Sequence, residues 1–115
     1  MEIEKPLTEQ KCIPCEGGTA PIVPADAKAL LERLQGWTLA NDALSISKNY
    51  IFPDFKATMV FVNKIAAIAE EEGHHPDLAV SYGKVKVDLS THATKGLSMN
   101  DFILAAKIDA IGTTA

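Results

Sequence analysis

The sequence predicts an α+β fold, a four-stranded antiparallel sheet with three helices packed on one face. Apolar residues recur at helical spacing in three segments, and four shorter segments have the alternation or the length of strands. The expected order of elements is α-β-β-α-β-β-α. Because short turns join consecutive strands as hairpins, the sheet should be antiparallel, and the helices should then cover one of its faces.

Length and composition limit the class of protein. The chain has 115 residues, of which 47% are hydrophobic and 23% charged, as expected for one globular domain. Its 11 basic and 15 acidic residues give a net charge of −4, which argues against a general nucleic-acid binder, since phosphate contacts need clustered Lys and Arg. We find neither an apolar run near 18 residues nor a secretory signal, so we expect a cytoplasmic protein without membrane association.

Residues 1–24 are expected to form an irregular arm ahead of a domain at residues 25–115. The arm holds four prolines and a glycine pair, and it carries Cys12 and Cys15 as a C-x-x-C motif. A structural zinc site usually needs a second such pair, and a redox motif needs a βαβ context; neither follows. We therefore expect reduced thiols on a flexible arm, with a metal or disulfide shared between two subunits as the alternative.

Three helices are expected, at residues 26–35, 54–72 and 98–111. Asp26 and Ser98 are suitable N-terminal caps for the first and the last. The long middle helix has two adjacent apolar stripes, which together are wider than the core of a monomer requires. We expect it to bury one side on the sheet and another against a partner subunit.

Strands are expected at residues 37–40, 44–52, 78–82 and 85–89. The last two alternate around Gly83-Lys84, a two-residue loop that predicts a hairpin.

The three histidines of the chain, His74, His75 and His92, are the strongest candidates for chemistry. With a Gly83-Lys84 loop, counting outwards along the hairpin places His75 opposite His92, and facing Cβ atoms lie roughly 4.5–5.5 Å apart. The hairpin would then gather the histidines, provided that pairing extends past Pro76, which cannot donate to the ladder. Alternation places His92 on the face away from the core.

The long helix ends in three consecutive glutamates, Glu70, Glu71 and Glu72. Carboxylates there oppose the helix dipole and repel one another, each effect costing about 0.3–1 kcal/mol. Such a local cost beside a histidine pair suggests function, because a carboxylate can orient an imidazole. For Glu71 and Glu72 we favour the simpler interpretation of a solvated surface.

The other candidates also have structural interpretations. Adjacent histidines can arise by chance, a strand histidine is usually structural, and Asp101 can be a helix cap. A zinc site is a further alternative, but adjacent side chains of an extended segment point to opposite sides, which suits a metal poorly.

Four segments together resemble the pterin-4a-carbinolamine dehydratase family. They are Glu70-x-x-x-His74-His75-Pro76, Tyr82-x-x-Val85, Ser90-Thr91-His92 and Gly96-Leu97-Ser98-x-x-Asp101. The resemblance extends over residues 26–111. It implies the fold expected above, a homodimer or homotetramer, and a pterin substrate. The implied reaction is dehydration of a 4a-hydroxytetrahydropterin to quinonoid dihydropterin in tetrahydrobiopterin recycling, chemistry that requires no metal or organic cofactor.

The resemblance also implies roles for individual residues. The reaction needs an acid to help hydroxide leave carbon 4a and a base to take a proton from the neighbouring ring nitrogen, and imidazoles suit both tasks near neutral pH. The implied catalytic residues are His74 and His92 as acid and base, and His75 in support. The implied substrate-binding residues are Glu70, Pro76, Thr91, Ala93, Thr94 and Asp101.

Two positions depart from the family pattern. Glu71 stands where the family often has Lys, and Leu78 stands where it often has Trp, which removes a stacking surface for the substrate. The arm lies outside the resemblance. Because members of this family also act as dimerisation partners of a homeodomain transcription factor, a non-enzymatic dimerisation or transcriptional cofactor module is the alternative function.

Overall fold

A computed structural model describes residues 7–9, 12, 22–91 and 94–111. The helices and strands are α1 (Pro24–Leu31), β1 (Thr38–Leu39), β2 (Ile46–Ile51), α2 (Phe55–Glu72), β3 (Asp77–Ser81), β4 (Lys84–Leu89) and α3 (Met99–Ile111). A single 3₁₀ turn at Leu7–Glu9 precedes them. The predicted α+β class and order of elements are confirmed.

The four strands form one antiparallel sheet in the order β1-β2-β4-β3. Along β4, Val85, Val87 and Leu89 are buried, whereas the residues between them are exposed or half-buried. This alternation gives the sheet one apolar face, which packs with the helices to form the hydrophobic core.

Helix α2 begins and ends at the predicted residues. The side chain of Asp54 accepts a hydrogen bond from the Ala57 amide at 2.8 Å, which caps the first turn. Gly73 ends the helix at a φ of 67°, a conformation that favours glycine. The buried face lies against β3 and β4 of the sheet, as predicted, and also against α3. It consists of Ala57, Thr58, Phe61, Ile65 and Ala69.

Helix α1 differs from the prediction of residues 26–35. It starts at Pro24, whose fixed φ suits the first helical position, and Val23 precedes it without a side-chain cap. Asp26 therefore lies within the first turn, and its predicted role as the cap is wrong. Beyond Leu31 the backbone tightens into turns, and Gly36 at a φ of 81° leads the chain into β1.

The hairpin loop is Tyr82-Gly83 and not Gly83-Lys84. Ser81 pairs with Lys84. Position 83 has no room for a side chain, because a Cβ there would lie 2.7 Å from the carbonyl oxygen of Phe52, the residue after β2. The Phe52 amide also donates to the Gly83 carbonyl at 2.8 Å, which fixes glycine at this point of the turn.

This change of loop shifts every pairing between β3 and β4 by two residues relative to the prediction. Every side chain keeps its predicted face, because the period of a strand is two. The ladder of β3 begins at Asp77, however, so His75 precedes it and the predicted strand pairing of His75 is wrong. Pro76, which has no amide hydrogen, separates the histidines from the ladder. His92 lies outside the described residues.

The described parts of the arm are packed on the domain, contrary to the expected flexible arm. Leu7 is buried in the core, and the turn at Leu7–Glu9 lies against α3. Cys12 is half-buried and has a free thiol, and the Ile22 amide donates to the Leu97 carbonyl at 2.8 Å. Cys15 lies outside the described residues. Among the helices of the described chain, none has the length and apolar character needed to cross a membrane.

Candidate active site

His74 follows the C-terminal end of α2. Gly73 turns the chain, and the His74 amide donates to the carbonyl of Ala69 at 3.2 Å, which fixes the backbone from which the imidazole projects. The side chain is only 11% exposed. Its Nε2 donates to Oδ1 of Asp101 at 2.6 Å.

Asp101 lies in the first turn of α3 and is fully buried. Its other oxygen, Oδ2, accepts from the Thr91 hydroxyl at 2.8 Å and from the Ser98 amide at 3.0 Å. The bond to Ser98 is one half of a capping box. Asp101 is therefore a helix cap and also the partner of His74, and its buried charge is satisfied by three donors.

A closed loop connects β4 with α3 beside this pair. The backbones of Thr91 and Gly96 exchange two hydrogen bonds, at 2.8 and 3.2 Å. The buried hydroxyl of Thr94 donates to the Gly96 carbonyl at 3.0 Å, and the Thr91 and Ser98 hydroxyls are 2.7 Å apart. These bonds hold Thr91 against Asp101. His92 and Ala93 follow Thr91 in the chain and lie outside the described residues.

A second imidazole–carboxylate pair is on the surface. Nε2 of His75 donates to Oε2 of Glu70, and both side chains are mostly exposed. Exposed pairs contribute little to stability, so the contact chiefly restricts the orientation of the imidazole. Pro76, the next residue, is half-buried.

The neighbouring glutamates differ from each other. Glu71 is exposed, as expected. The Glu72 side chain is only 4% exposed, and its carboxylate accepts from Lys107 Nζ at 3.2 Å and from the Cys12 amide at 2.9 Å. The favoured interpretation of Glu72 as a solvated residue is wrong. Because Glu72 follows Ile65 by two helical turns, it falls on the buried face of α2, a signal already present in the sequence.

The structure thus brings His74, Thr91 and Asp101 together, and it places His75 and Glu70 at the same helix end. Because a carboxylate can only accept, Asp101 fixes the ring proton of His74 on Nε2 and leaves Nδ1 to take up and return a proton. Within the described residues, no three His, Cys, Asp or Glu side chains are placed to hold a metal ion.

Another polar cluster lies eight residues further along α3, about 12 Å at 1.5 Å per residue. Asp109 accepts from Trp37 Nε1 at 2.9 Å, from Lys48 Nζ at 2.8 Å and from the Tyr50 hydroxyl. Burial, with Asp109 adjacent, raises the pKa of Tyr50 above its usual range. A cavity of about 470 Å³ adjoins these side chains. Lys48 therefore connects β2 to α3.

The site and the fold together define a small α+β protein with a buried acid–base pair between two helix ends. Residues 20–111 match the family described as Pterin 4 alpha carbinolamine dehydratase. A putative pterin-4-alpha-carbinolamine dehydratase of Rickettsia bellii is 49% identical over 109 residues, 95% of this chain and 96% of the relative. One of Halorhodospira halophila is 43% identical over 106 residues, 92% of this chain and 97% of the relative. The chain belongs to the pterin 4 alpha carbinolamine dehydratase family, and the predicted family and the predicted enzyme class, a hydro-lyase, are confirmed.

Solved structures agree on the fold. A transcriptional coactivator/pterin dehydratase from Brucella melitensis superposes with a TM-score of 0.76 at 30% identity, covering 79% of this chain and 97% of that protein. A pterin dehydratase-like protein identified as a RuBisCO assembly factor in the alpha-carboxysome has a TM-score of 0.59 at 26% identity, covering 70% of this chain and 94% of that protein.

The match to the Rickettsia bellii relative also covers part of the arm. It leaves only 115 − 109 = 6 residues of this chain uncovered, contrary to the expectation that the arm lies outside the family resemblance.

Proposed function

We propose that this protein dehydrates a 4a-hydroxytetrahydropterin to quinonoid dihydropterin, in the recycling of tetrahydrobiopterin. The observation that carries the proposal is the 2.6 Å contact between His74 and Asp101 in a chain of this family. A buried carboxylate that holds an imidazole in one orientation is a common arrangement for acid–base catalysis.

The reaction breaks the bond between carbon 4a and its hydroxyl oxygen. The departing hydroxide takes one proton and leaves as water, while the neighbouring ring nitrogen gives up one proton, so no electrons are exchanged with another molecule. We propose His74 and His92 as the acid and the base, and His75 as a supporting residue. In that scheme Nδ1 of His74 transfers a proton, because Nε2 is committed to Asp101.

The remaining predicted residues would bind or shape the substrate pocket. We propose contacts from Glu70, Pro76, Thr91, Ala93 and Thr94. Asp101 is better suited to act through His74 than to touch the substrate, since it is fully buried and both of its oxygens accept from protein donors.

The decisive experiment compares the wild type with His74→Ala on freshly prepared 4a-hydroxytetrahydropterin, followed by ultraviolet absorbance. We expect the rate above background to fall about 10²–10⁴-fold, the usual contribution of a general acid or base. Glu71→Gln, an exposed change at the same helix end, is the control and should retain the wild-type rate. Equal rates for wild type and His74→Ala would refute the catalytic role of His74.

A non-enzymatic role is the second candidate. It is favoured by the two structural neighbours, of which one is called a transcriptional coactivator/pterin dehydratase and the other a RuBisCO assembly factor. Wild-type protein that gives no turnover above the uncatalysed rate, at any pH between 6 and 9, would favour this role over the dehydratase.

A further inference from the structure

We infer that Cys12, Glu72 and Asn100 form a clamp that positions the His74–Asp101 pair. We call these three residues the Cys12 clamp. The inference rests on the proposed role of His74 as an acid–base group, and it assigns a task to part of the arm.

The clamp connects the two chain segments that carry the pair. The Cys12 amide donates to Oε1 of Glu72 at 2.9 Å, and its thiol donates to the Asn100 carbonyl at 3.6 Å. Glu72 is separated from His74 by Gly73 alone, and Asn100 directly precedes Asp101. One residue of the arm therefore bridges the end of α2 and the start of α3 beside the pair.

Glu72 strengthens this connection. Its carboxylate is almost fully buried and also accepts from Lys107 Nζ, on α3, at 3.2 Å. A buried carboxylate is stable only when protein donors replace its water, so Glu72 depends on the arm and on α3 together. Removal of the Glu72 carboxylate would break both of these hydrogen-bonded connections at the last turn of α2.

The chemistry of Cys12 favours a positional role over a reactive one. Burial, and then the negative charge of Glu72, raise the pKa of the Cys12 thiol to about 12. The thiol is therefore protonated near neutral pH, so it can donate to the Asn100 carbonyl but is a poor nucleophile.

The arm is anchored on both sides of Cys12. Leu7 inserts into the core, and the turn at Leu7–Glu9 lies against α3. After Cys12, the Ile22 amide donates to the carbonyl of Leu97, at the start of the α3 segment. These contacts hold Cys12 against the domain, so that it restrains the pair.

The clamp matters because the ends of helices are their least constrained parts. The 2.6 Å contact between Nε2 of His74 and Asp101 spans the end of α2 and the first turn of α3. A small relative shift of these ends would lengthen the contact and release the imidazole. Since positioning errors act on the chemical step, they should lower kcat more than they raise KM.

The test compares Glu72→Ala with Glu72→Gln and with Glu71→Ala. Glu72→Ala removes the acceptor for the Cys12 amide, and we expect kcat to fall about tenfold with KM nearly unchanged. Glu72→Gln keeps a carbonyl oxygen for the Cys12 amide and should recover most of the activity. Glu71→Ala, next to it on the exposed side, should match the wild type.

A spectroscopic measurement observes the pair directly. In ¹H–¹⁵N spectra, the Nε2 proton of His74 should be visible in the wild type, because its bond to Asp101 protects it from exchange with water. It should broaden or vanish in Glu72→Ala and persist in Glu72→Gln. A protected proton in Glu72→Ala together with wild-type kcat would overturn the clamp.

The two proposals fail separately. If His74→Ala is fully active, the proposed catalytic role of His74 is lost, whereas the Nε2 proton of His74 in the other variants still reports whether the clamp orders the pair. If Glu72→Ala does not fold, Cys12→Val replaces it, because this change removes only the S–H donor and keeps the amide and an apolar side chain. We expect Cys12→Val to accelerate exchange of the His74 Nε2 proton, and unchanged exchange would overturn the clamp.

Discussion

At the scale of single residues, Asp101 carries more than one task. The sequence left a choice between a helix cap and a residue of the site, and the structure shows a cap that also binds the imidazole of His74. The ambiguity arose because the capping signal is local, whereas His74 is 27 residues away in the chain. A local sequence pattern identifies the cap, but it gives no information about a partner that is distant in the chain.

We predict that Asp101→Asn separates folding from catalysis. The amide oxygen of Asn can still accept from Ser98 and Thr91, while its NH₂ group can donate to Nε2 of His74. The ring proton of His74 would then move to Nδ1, the wrong tautomer for accepting a proton there. Turnover should fall about 10²–10⁴-fold, and the free energy of unfolding by only about 1–2 kcal/mol.

Nitrogen-15 shifts of the His74 ring and urea titration would measure the two effects of Asp101→Asn. Asp77→Asn, an exposed change on β3, is the control and should alter neither. An unchanged tautomer combined with wild-type turnover would contradict the role given to Asp101.

A pH prediction follows from Cys12. Its thiol has a pKa of 9.0 when unperturbed and about 12 in the folded protein. Between these values the unfolded chain loses the proton and the folded chain keeps it, so the unfolded state binds fewer protons and stability falls as pH rises. Urea unfolding of wild type and Cys12→Ser, measured from pH 7 to 11, should show that the free energy of unfolding falls more steeply above pH 9 in the wild type. If the free energy of unfolding had the same pH dependence in both proteins, the Cys12 thiol would not be shielded from water in the folded state.

At the scale of the elements, contacts between distant segments decided what local patterns could not. The sequence predicted the hairpin loop at Gly83-Lys84, whereas in the structure Ser81 pairs with Lys84 and Gly83 lies against the carbonyl of Phe52. Both ends of α2 were predictable because its caps, Asp54 and Gly73, are local signals. The start of α1 was predicted wrongly because Asp26 was interpreted as the N-terminal cap, whereas Pro24 is the first residue of the helix.

The cluster around Asp109 should stabilise the junction of α3 with β2. Asp109→Ala would remove the shared acceptor of Trp37, Lys48 and Tyr50, and we expect the free energy of unfolding to fall by about 2–3 kcal/mol. Tyr50→Phe removes one donor only and should cost about 1 kcal/mol. Because the cluster is about 12 Å along α3 from Asp101, turnover by the folded fraction should stay at the wild-type value.

Thermal unfolding and turnover measured on the same samples test the Asp109 prediction. A loss of turnover in folded Asp109→Ala would mean that this cluster belongs to the site. If Tyr50→Phe lowered the free energy of unfolding as much as Asp109→Ala, the Tyr50 hydroxyl rather than the shared carboxylate would account for the stabilisation.

At the scale of the whole molecule, the sequence predicted the class, the order of elements and the family, because these depend on periodicity and on a motif with fixed spacing. It did not predict how the site is assembled. The predicted strand pairing of His75 does not form, and His74 instead contacts Asp101 between the end of α2 and the start of α3. The docking of the arm was missed for the same reason, since Cys12 and Glu72 are 60 residues apart.

The assembly of subunits is the remaining prediction at this scale. The outer stripe of α2, formed by Phe55, Met59, Val62 and Ala66, lies beside the buried face. Phe55 is 49% exposed, whereas Val62 is partly buried against the core. Apolar side chains in this pattern favour packing against a second copy of the chain, so we predict a homodimer or homotetramer. Ala66→Arg places a charge in that stripe without disfavouring the helix, and it should dissociate the oligomer.

Sedimentation at micromolar concentration would measure the masses of wild type, Ala66→Arg and Ala67→Arg. Ala67 is also an exposed alanine of α2, but it lies about 100° further around the helix, outside the stripe. We therefore expect Ala67→Arg to keep the wild-type mass while Ala66→Arg becomes smaller. A monomeric wild type would disprove the assembly, and an Ala66→Arg variant of unchanged mass would move the interface to another surface.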